Sequence, residues 1–144
     1  MAGGKPMALT EIATTDVVTA SPDTDVSELL DHMDERSVGS VVITDGDEPA
    51  GIVTDRMVAM GMRDGGSVDE MTAEDVMTED LVTIEDEHSH FDALEMMSDN
   101  GIRRLPIVED GSLAGIITLD DLLVVTAAEM SNASDVIEQQ AGPL

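Results

Sequence analysis

The stretch Gly115-Ile-Ile-Thr-Leu-Asp-Asp-Leu-Leu123 carries the chain from a buried strand into a helix. The apolar run before Thr118 is typical of a buried strand. From Leu119 to Met130 the apolar residues recur at the spacing of one helix face. Thr118 is therefore predicted at the helix N-cap, where its hydroxyl and the free N–H groups of the first turn suit an anion or a ribose hydroxyl.

The same pattern occurs 64 residues earlier, in Gly51-Ile-Val-Thr54. The offset holds without a gap from the pair Thr14 and Thr78 to the pair Val58 and Leu122. This is an internal duplication. One copy is too small to bury a sufficient core alone, so we expect the two copies to pack as one unit.

Each copy has the predicted order β-α-β-β-α, which places the chain in the α+β class. We expect a pseudo-two-fold pair with sheets face to face, helices outside and a cleft between the copies. The first strands are predicted at residues 17–19 and 81–83. The predicted segments are a flexible N-terminus (1–9), a first repeat (10–62), a linker (63–72), a second repeat (73–128), and a helix end with a frayed tail from residue 131 (129–144).

The charge of the chain is extreme, with a net charge of −26 and Lys5 as the only lysine. Nucleic-acid binding is disfavoured, because phosphate backbones would be repelled and Phe91 is the only aromatic residue available for stacking. An acid-coated, lysine-poor surface is similar to that of proteins from salt-loving microbes. We therefore expect a halophilic archaeal source and a fold that weakens at low salt.

The sequence also argues against cysteine-dependent proteins and against membrane or secreted proteins. The chain has no cysteine, so disulfides, thiolate nucleophiles and thiolate metal sites are excluded. No run approaches the roughly 20 apolar residues of a membrane span, and the stretch Met1–Pro6 lacks the apolar core of a signal peptide. We expect a cytoplasmic protein with no membrane partner.

The repeated unit resembles the CBS domain, and the pair resembles a Bateman module. The resemblance covers about residues 10–128 and rests on the order and duplication of its motifs. These are Gly51-Ile-Val-Thr54, Gly115-Ile-Ile-Thr-Leu-Asp-Asp121, Arg104-Leu-Pro-Ile-Val108 and Asp75-Val-Met-Thr78. It implies a regulatory, ligand-sensing module and not an enzyme. Such a module needs no cofactor and binds adenosine-containing molecules (AMP, ADP, ATP, S-adenosylmethionine or NAD) between the copies. A homodimer shaped as a disc and an unknown regulated protein are implied as well.

The resemblance also implies which residues form the two clefts. In the first cleft, Thr118 and Asp121 match the positions that hold ribose and phosphate, and the matching lining is Ala13, Val18, Val38, Ser40 and Ile116. In the second cleft, Thr54 matches the threonine, and the matching lining is Ile52, Met77, Val82 and Ile102. Met57 replaces the ribose-binding Asp there, and a thioether is a weak acceptor. We therefore expect the first cleft to bind better.

Basic residues are placed selectively. Arg56, Arg103 and Arg104 are three of only six basic residues, and all three fall at motif positions near one predicted cleft, whereas Arg36 lies near its counterpart. Guanidinium groups match phosphate oxygens in a bidentate way, so these residues are predicted to bind phosphate. The alternative is that they pair with the surface acids around them, as exposed ion pairs commonly do.

Other interpretations stay open at this point. The pattern from Thr118 to Asp121 is also a helix-capping pattern, and both roles can coexist. A second class of function is an interaction or scaffold module with vestigial clefts, which Met57 favours. A third is a metal-dependent hydrolase built on His88 and His90. Two histidines without a third ligand are a weak metal signal, so no metal site is predicted.

Overall fold

The computed structural model describes residues 8–140. Its strands are β1 (Thr19–Ala20), β2 (Ser40–Asp45), β3 (Glu48–Thr54), β4 (Ile84–Glu85), β5 (Arg104–Glu109) and β6 (Ser112–Thr118). Its helices are α1 (Val26–Arg36), α2 (Asp55–Arg63), α3 (Ala73–Val76), α4 (His90–Asn100) and α5 (Leu119–Gln140), and a 3-10 turn (Leu9–Glu11) precedes them.

Two three-stranded sheets with the same topology confirm the α+β class and the duplication. In each sheet the short first strand runs parallel to the middle strand, and the middle strand pairs antiparallel with the third, in the orders β1-β2-β3 and β4-β5-β6. The registers coincide at the 64-residue offset, because Ser40 faces Thr54 as Arg104 faces Thr118. The two ends at which strands enter helices are therefore built alike.

Turns and helix ends follow local rules. The hairpin between β5 and β6 turns at Asp110 and Gly111, whose φ angles of 53° and 83° are those of a two-residue turn that matches strand twist. Helix α1 buries Val26, Leu29 and Met33 on one face. It ends at Ser37, which adopts the left-handed conformation with φ 53°.

The repeats exchange their leading segments. Leu9 is fully buried in the core of the second repeat, and Ala73, its counterpart at the 64-residue offset, is fully buried in the core of the first. Met71 packs beside Ala73 in the first core. Each repeat therefore completes the core of the other, and the two fold as one interleaved unit.

Two segments predicted to be flexible or connecting contain buried residues because of this exchange. The N-terminus was expected to be flexible through residue 9, yet Leu9 is buried; residues 1–7 lie outside the described residues. The segment 63–72 is predicted to be a linker, and within it Met71 is just 9 % exposed. A single apolar residue among polar neighbours has no periodicity, and its burial depends on contact with the other repeat.

The first strand of each repeat lies slightly later than predicted. β1 begins at Thr19 and β4 begins at Ile84, whereas strands were expected at 17–19 and 81–83. Val17 and Leu81 instead pack against a small apolar cluster between the sheets, made of Val42, Ile52 and Ile116. Their burial reflects contact between the sheets and not strand pairing.

The C-terminal end is also different from the prediction. Helix α5 continues to Gln140, where a frayed tail was expected from Ser131. No glycine or proline interrupts residues 119–140, so nothing in the sequence ends the helix there. The last part of the predicted tail, residues 141–144, lies outside the described residues. Across residues 8–140, the apolar stretches of the helices are all too short to cross a bilayer.

Candidate functional site: a cleft between the repeats

An open cleft of about 870 Å³ lies where the two repeats meet. Its walls come from the start of α2, the loop around Thr78–Val82, the start of β5 and the end of β6. A cleft of this volume is in the range that holds small ligands and cofactors. The duplication thus produces a ligand-sized space at the joint between its copies.

Both strand-to-helix junctions contribute to this cleft. Thr54 and Thr118 line it, each at the end of the third strand of its sheet. The Thr54 hydroxyl caps α2 by accepting a hydrogen bond from the Met57 N–H at 3.2 Å. The backbone N–H groups of the first turn of α2 therefore face the region where Thr54 lines the cleft.

The apolar part of the lining matches the second predicted cleft. Ile52, Val82 and Ile102 line it together with Thr54, as expected from the resemblance. Met77 does not belong to this lining. Its side chain packs against the first core, and a Cβ placed on Gly51 would lie 2.7 Å from the Met77 sulfur.

All three predicted phosphate-binding arginines line this same cleft. Arg56 enters from α2, and Arg103 and Arg104 enter from the start of β5. None of them has a carboxylate within ion-pair distance in residues 8–140, although acids are abundant. The alternative that they pair with surface acids is therefore not supported. Their guanidinium groups are available for an anion.

The cleft is not uniformly basic. Five aspartates also belong to its lining: Asp55, Asp64, Asp75, Asp80 and Asp120. Among these, Asp55 accepts a hydrogen bond from the Arg56 N–H at 2.8 Å. Because acids surround the arginines, the cleft favours a ligand that presents negative charge at the arginines and polar or neutral groups elsewhere.

One polar group at the cleft was missed by the sequence analysis. The Thr78 hydroxyl oxygen is buried and has no hydrogen-bond partner among the described residues, and Thr78 lines the cleft. Its backbone N–H donates to the Ile52 carbonyl oxygen at 3.1 Å, which fixes it between the repeats. An unpaired buried hydroxyl is costly and favours a ligand that would satisfy it. In the sequence, only the motif Asp75-Val-Met-Thr78 drew attention to Thr78.

Thr118 and Asp121 cap α5 reciprocally. The Asp121 carboxylate accepts a hydrogen bond from the Thr118 N–H at 2.9 Å, and the Thr118 hydroxyl accepts one from the Asp121 N–H at 3.2 Å. The capping interpretation is thereby confirmed, and it leaves a second carboxylate oxygen on Asp121 for other contacts. Thr118 lines the open cleft, whereas Asp121 does not.

The remaining residues of the first predicted cleft lie apart from the open cleft. Ala13 packs against the second core and Val18 against the first. Ile116 belongs to the apolar cluster between the sheets. Val38 is 38 % exposed, and Ser40 is half-buried at the start of β2.

An ion pair occupies the region that mirrors the open cleft. Arg36, in the last turn of α1, donates to Asp16 at 2.6 Å. At the 64-residue offset Asp16 corresponds to Asp80, and the end of α1 corresponds to the end of α4 beside Gly101; both Asp80 and Gly101 line the open cleft. The segments at the mirror position are thus joined by an ion pair between exposed side chains.

The histidines do not form a metal site. His88 pairs with Asp92 at 3.1 Å, and His90 pairs with Glu129 at 3.0 Å, so the two rings serve separate helix contacts. Within residues 8–140 no group of three or more metal-ligating side chains is placed to hold an ion. The geometry gives the hydrolase interpretation no support.

Comparisons with known proteins agree with this architecture. The CBS domain family model matches residues 9–63 and again residues 73–128. The protein MK0525 of Methanopyrus kandleri is 41 % identical over 124 residues, which are 84 % of this chain and 63 % of that protein. A solved structure of a protein with CBS domains from Burkholderia ambifaria has a TM-score of 0.77 at 26 % identity, over 84 % of this chain and 94 % of that one. The CBS domain pair of MJ0100, solved in complex with 5′-methylthioadenosine and S-adenosyl-L-methionine, has a TM-score of 0.75 at 20 % identity, over 85 % and 97 % of the two chains.

Proposed function

Since this chain belongs to the CBS-domain family, in which the pair of repeats is a regulatory module, we propose that it senses a phosphate-bearing adenosine ligand in the open cleft. Ligand binding would change the relative orientation of the two interleaved repeats, and a regulated partner protein would respond to that change. We include in this proposal a cytoplasmic location and a homodimer, both of which were expected from the sequence.

The observation that carries the proposal is the convergence of Arg56, Arg103 and Arg104 on one cleft in a protein with a net charge of −26. Three unpaired guanidinium groups in a strongly acidic protein stabilise an anion through charge-assisted hydrogen bonds. Phosphate groups match their donor geometry. AMP, ADP or ATP therefore suits the cleft better than S-adenosylmethionine, which has no phosphate.

The rest of the lining suits the nucleoside part of such a ligand. Ile52, Val82 and Ile102 provide an apolar surface for a purine base. The unpaired Thr78 hydroxyl lies in the same lining and would hydrogen-bond to the base or the ribose. The fold of MJ0100, whose CBS domain pair binds adenosyl compounds, supports an adenosine ligand by analogy only.

A scaffold with vestigial clefts is the second candidate function. Met57 lines the open cleft where the resemblance implies a ribose-binding Asp, and it cannot replace that acceptor. The ion pair between Arg36 and Asp16 ties the mirror region together. In this alternative the repeats would recognise a protein partner without a small ligand.

The test is calorimetric titration in molar KCl with AMP, ATP, S-adenosylmethionine and NAD. The proposal predicts binding of ATP or AMP near one site per chain. The variant Arg103→Ala would weaken ATP binding by roughly tenfold or more, because a hydrogen bond to a charged group contributes about 1.5–3 kcal/mol. Binding of S-adenosylmethionine, if present, would change much less.

The matched control is Arg63→Ala, which removes an equal charge from the end of α2 outside the cleft lining. It would leave ATP affinity nearly unchanged. A loss of binding in Asp121→Ala and not in Arg103→Ala would place the ligand in the first cleft. No binding of any adenosyl compound would favour the scaffold.

A further inference from the structure

One wall of the open cleft has fewer backbone hydrogen bonds than the equivalent segment in the other half of the fold. This wall consists of residues 78–82, all of which line the cleft except Glu79. We call it the 78–82 wall. Its counterpart at the 64-residue offset is the segment 14–18. The backbone hydrogen bonds of the two segments can therefore be compared position by position.

The segment 14–18 is attached at both of its ends. Thr14 pairs with Ile116 through two backbone hydrogen bonds, one from the Thr14 N–H at 3.1 Å and one from the Ile116 N–H at 2.9 Å. At the other end, the Val42 N–H donates to the Val18 carbonyl oxygen at 2.9 Å. The segment is thereby joined to both sheets.

The 78–82 wall has only one of these three bonds within the described part of the chain. The Thr78 N–H donates to the Ile52 carbonyl oxygen at 3.1 Å, but the Ile52 N–H does not donate back to Thr78. At the other end, the donor position is occupied by Pro106, which has no N–H. The Val82 carbonyl oxygen therefore lacks the bond that its counterpart accepts.

The start of β4 shows the effect of this proline. β1 begins at Thr19, whereas β4 begins one residue later in its repeat, at Ile84. The register is nevertheless the same in both sheets at the 64-residue offset. A proline in a middle strand removes a hydrogen bond of the sheet, so Pro106 accounts for the later start. The backbone of the 78–82 wall therefore has more freedom than that of the segment 14–18.

We propose that the 78–82 wall is a movable wall, freed by Pro106, which closes on Ile52 when a ligand binds. The closure rests on the proposed ligand site, whereas the freedom of the wall does not. Closure would form the missing bond from the Ile52 N–H to the Thr78 carbonyl oxygen. The wall connects α3, which carries Ala73 of the first core, with β4 of the second sheet. Its movement would therefore transmit ligand binding to both repeats.

Amide hydrogen exchange, followed by NMR in molar KCl without ligand, tests the freedom of the wall. Ile52 and Ile116 are matched probes, because each follows a glycine and each is 8 % exposed. The Ile52 amide should exchange roughly tenfold faster or more, because its N–H lacks the acceptor that the Ile116 N–H has. Equal exchange of the two amides would overturn the movable wall.

The variant Pro106→Val supplies the missing N–H at the cleft. Its new amide should be protected from exchange, and the exchange of Ile52 should slow several-fold because the wall is then fixed. The matched control Pro49→Val makes the same change in β3, outside the cleft lining, and should leave the exchange of Ile52 unchanged. Unchanged exchange of Ile52 in Pro106→Val would overturn the role of this proline.

Saturating ATP tests the closure in the native protein. It should slow the exchange of Ile52 by roughly fivefold or more and leave that of Ile116 unchanged, because only Ile52 gains an acceptor. Binding of ATP without slower exchange of Ile52 would overturn the closure. Absence of ATP binding would overturn the proposed ligand, whereas the exchange measured without ligand would still decide whether the wall moves.

Discussion

Two glycines at equivalent positions allow a controlled test of how the repeats meet. A Cβ placed on Gly115 would lie 2.9 Å from the carbonyl oxygen of Thr14. A Cβ placed on Gly51, its counterpart at the 64-residue offset, would lie 2.7 Å from the sulfur of Met77. The first obstacle is backbone, whereas the second is the Met77 side chain, whose Cγ and Cβ also lie 2.9 Å and 3.1 Å away. The substitutions Gly115→Ala and Gly51→Ala should therefore differ in cost.

The expected cost of Gly115→Ala is about 2–3 kcal/mol. Overpacking costs about 1–3 kcal/mol, and the Ile116 N–H bond to the Thr14 carbonyl oxygen, 2.9 Å long, must lengthen at a cost of about 1 kcal/mol. The lower conformational entropy of the unfolded variant offsets about 0.4–1 kcal/mol of this cost. Gly51→Ala should cost about 1 kcal/mol or less, because Met77 can adopt another rotamer.

The assay is thermal unfolding by circular dichroism in molar KCl, supported by urea denaturation. The melting temperature should fall by roughly 5 °C more for Gly115→Ala than for Gly51→Ala, at several degrees per kcal/mol. The double variant Gly51→Ala/Met77→Ala should lose less stability than the two single changes added together, because Met77→Ala removes the obstacle. An equal or larger loss in Gly51→Ala, or strict additivity in the double variant, would refute the reasoning.

Two further predictions concern charge. Dialysis from molar to 0.1 M salt increases the screening length from about 3 Å to about 10 Å. Repulsion within this protein, whose net charge is −26, should then lower its melting temperature. A melting curve independent of KCl would contradict the halophilic prediction. Hydrogen bonding from the Ser89 backbone N–H, aided by His88, lowers the pKa of Asp92 from its usual 3.8; the stabilisation is therefore present above that pH and is lost as pH falls through the lower native pKa. The difference in melting temperature between native protein and Asp92→Ala should shrink in acid, and a constant difference would exclude the carboxylate as its source.

The duplication was the part of the fold that sequence could predict well. A constant offset and matched apolar patterns determine the hairpins, the helices and the two sheets, because each of these depends on local periodicity and turn residues. The burial of Leu9 and Met71 was not predicted, because it does not depend on local periodicity. Their burial arises only when each leading segment packs on the other repeat, and no local pattern carries that information.

The three arginines of the candidate site were predicted to lie near one cleft, and all three line the open cleft. Arg56 and Arg104 are far apart in sequence and come from different repeats, and they line one cleft because the two repeats pack against each other. The Thr78 hydroxyl was missed because its lack of a partner depends on the packing around it. The ion pair between Arg36 and Asp16 also joins residues twenty positions apart and was not predicted.

The two copies differ at positions where the proposed ligand's phosphates would be held. Copy two has Arg103 and Arg104 at the start of β5, where copy one has Gly39 and Ser40 at the same offset. Conversely, copy two retains the Asp of the threonine motif as Asp121, whereas copy one has Met57. Under the proposed function, phosphate recognition and ribose recognition would be separated between the two clefts. If the open cleft binds a nucleotide, its affinity should come mainly from phosphate contacts, so affinity should rise from adenosine to AMP to ATP and should fall steeply with added salt.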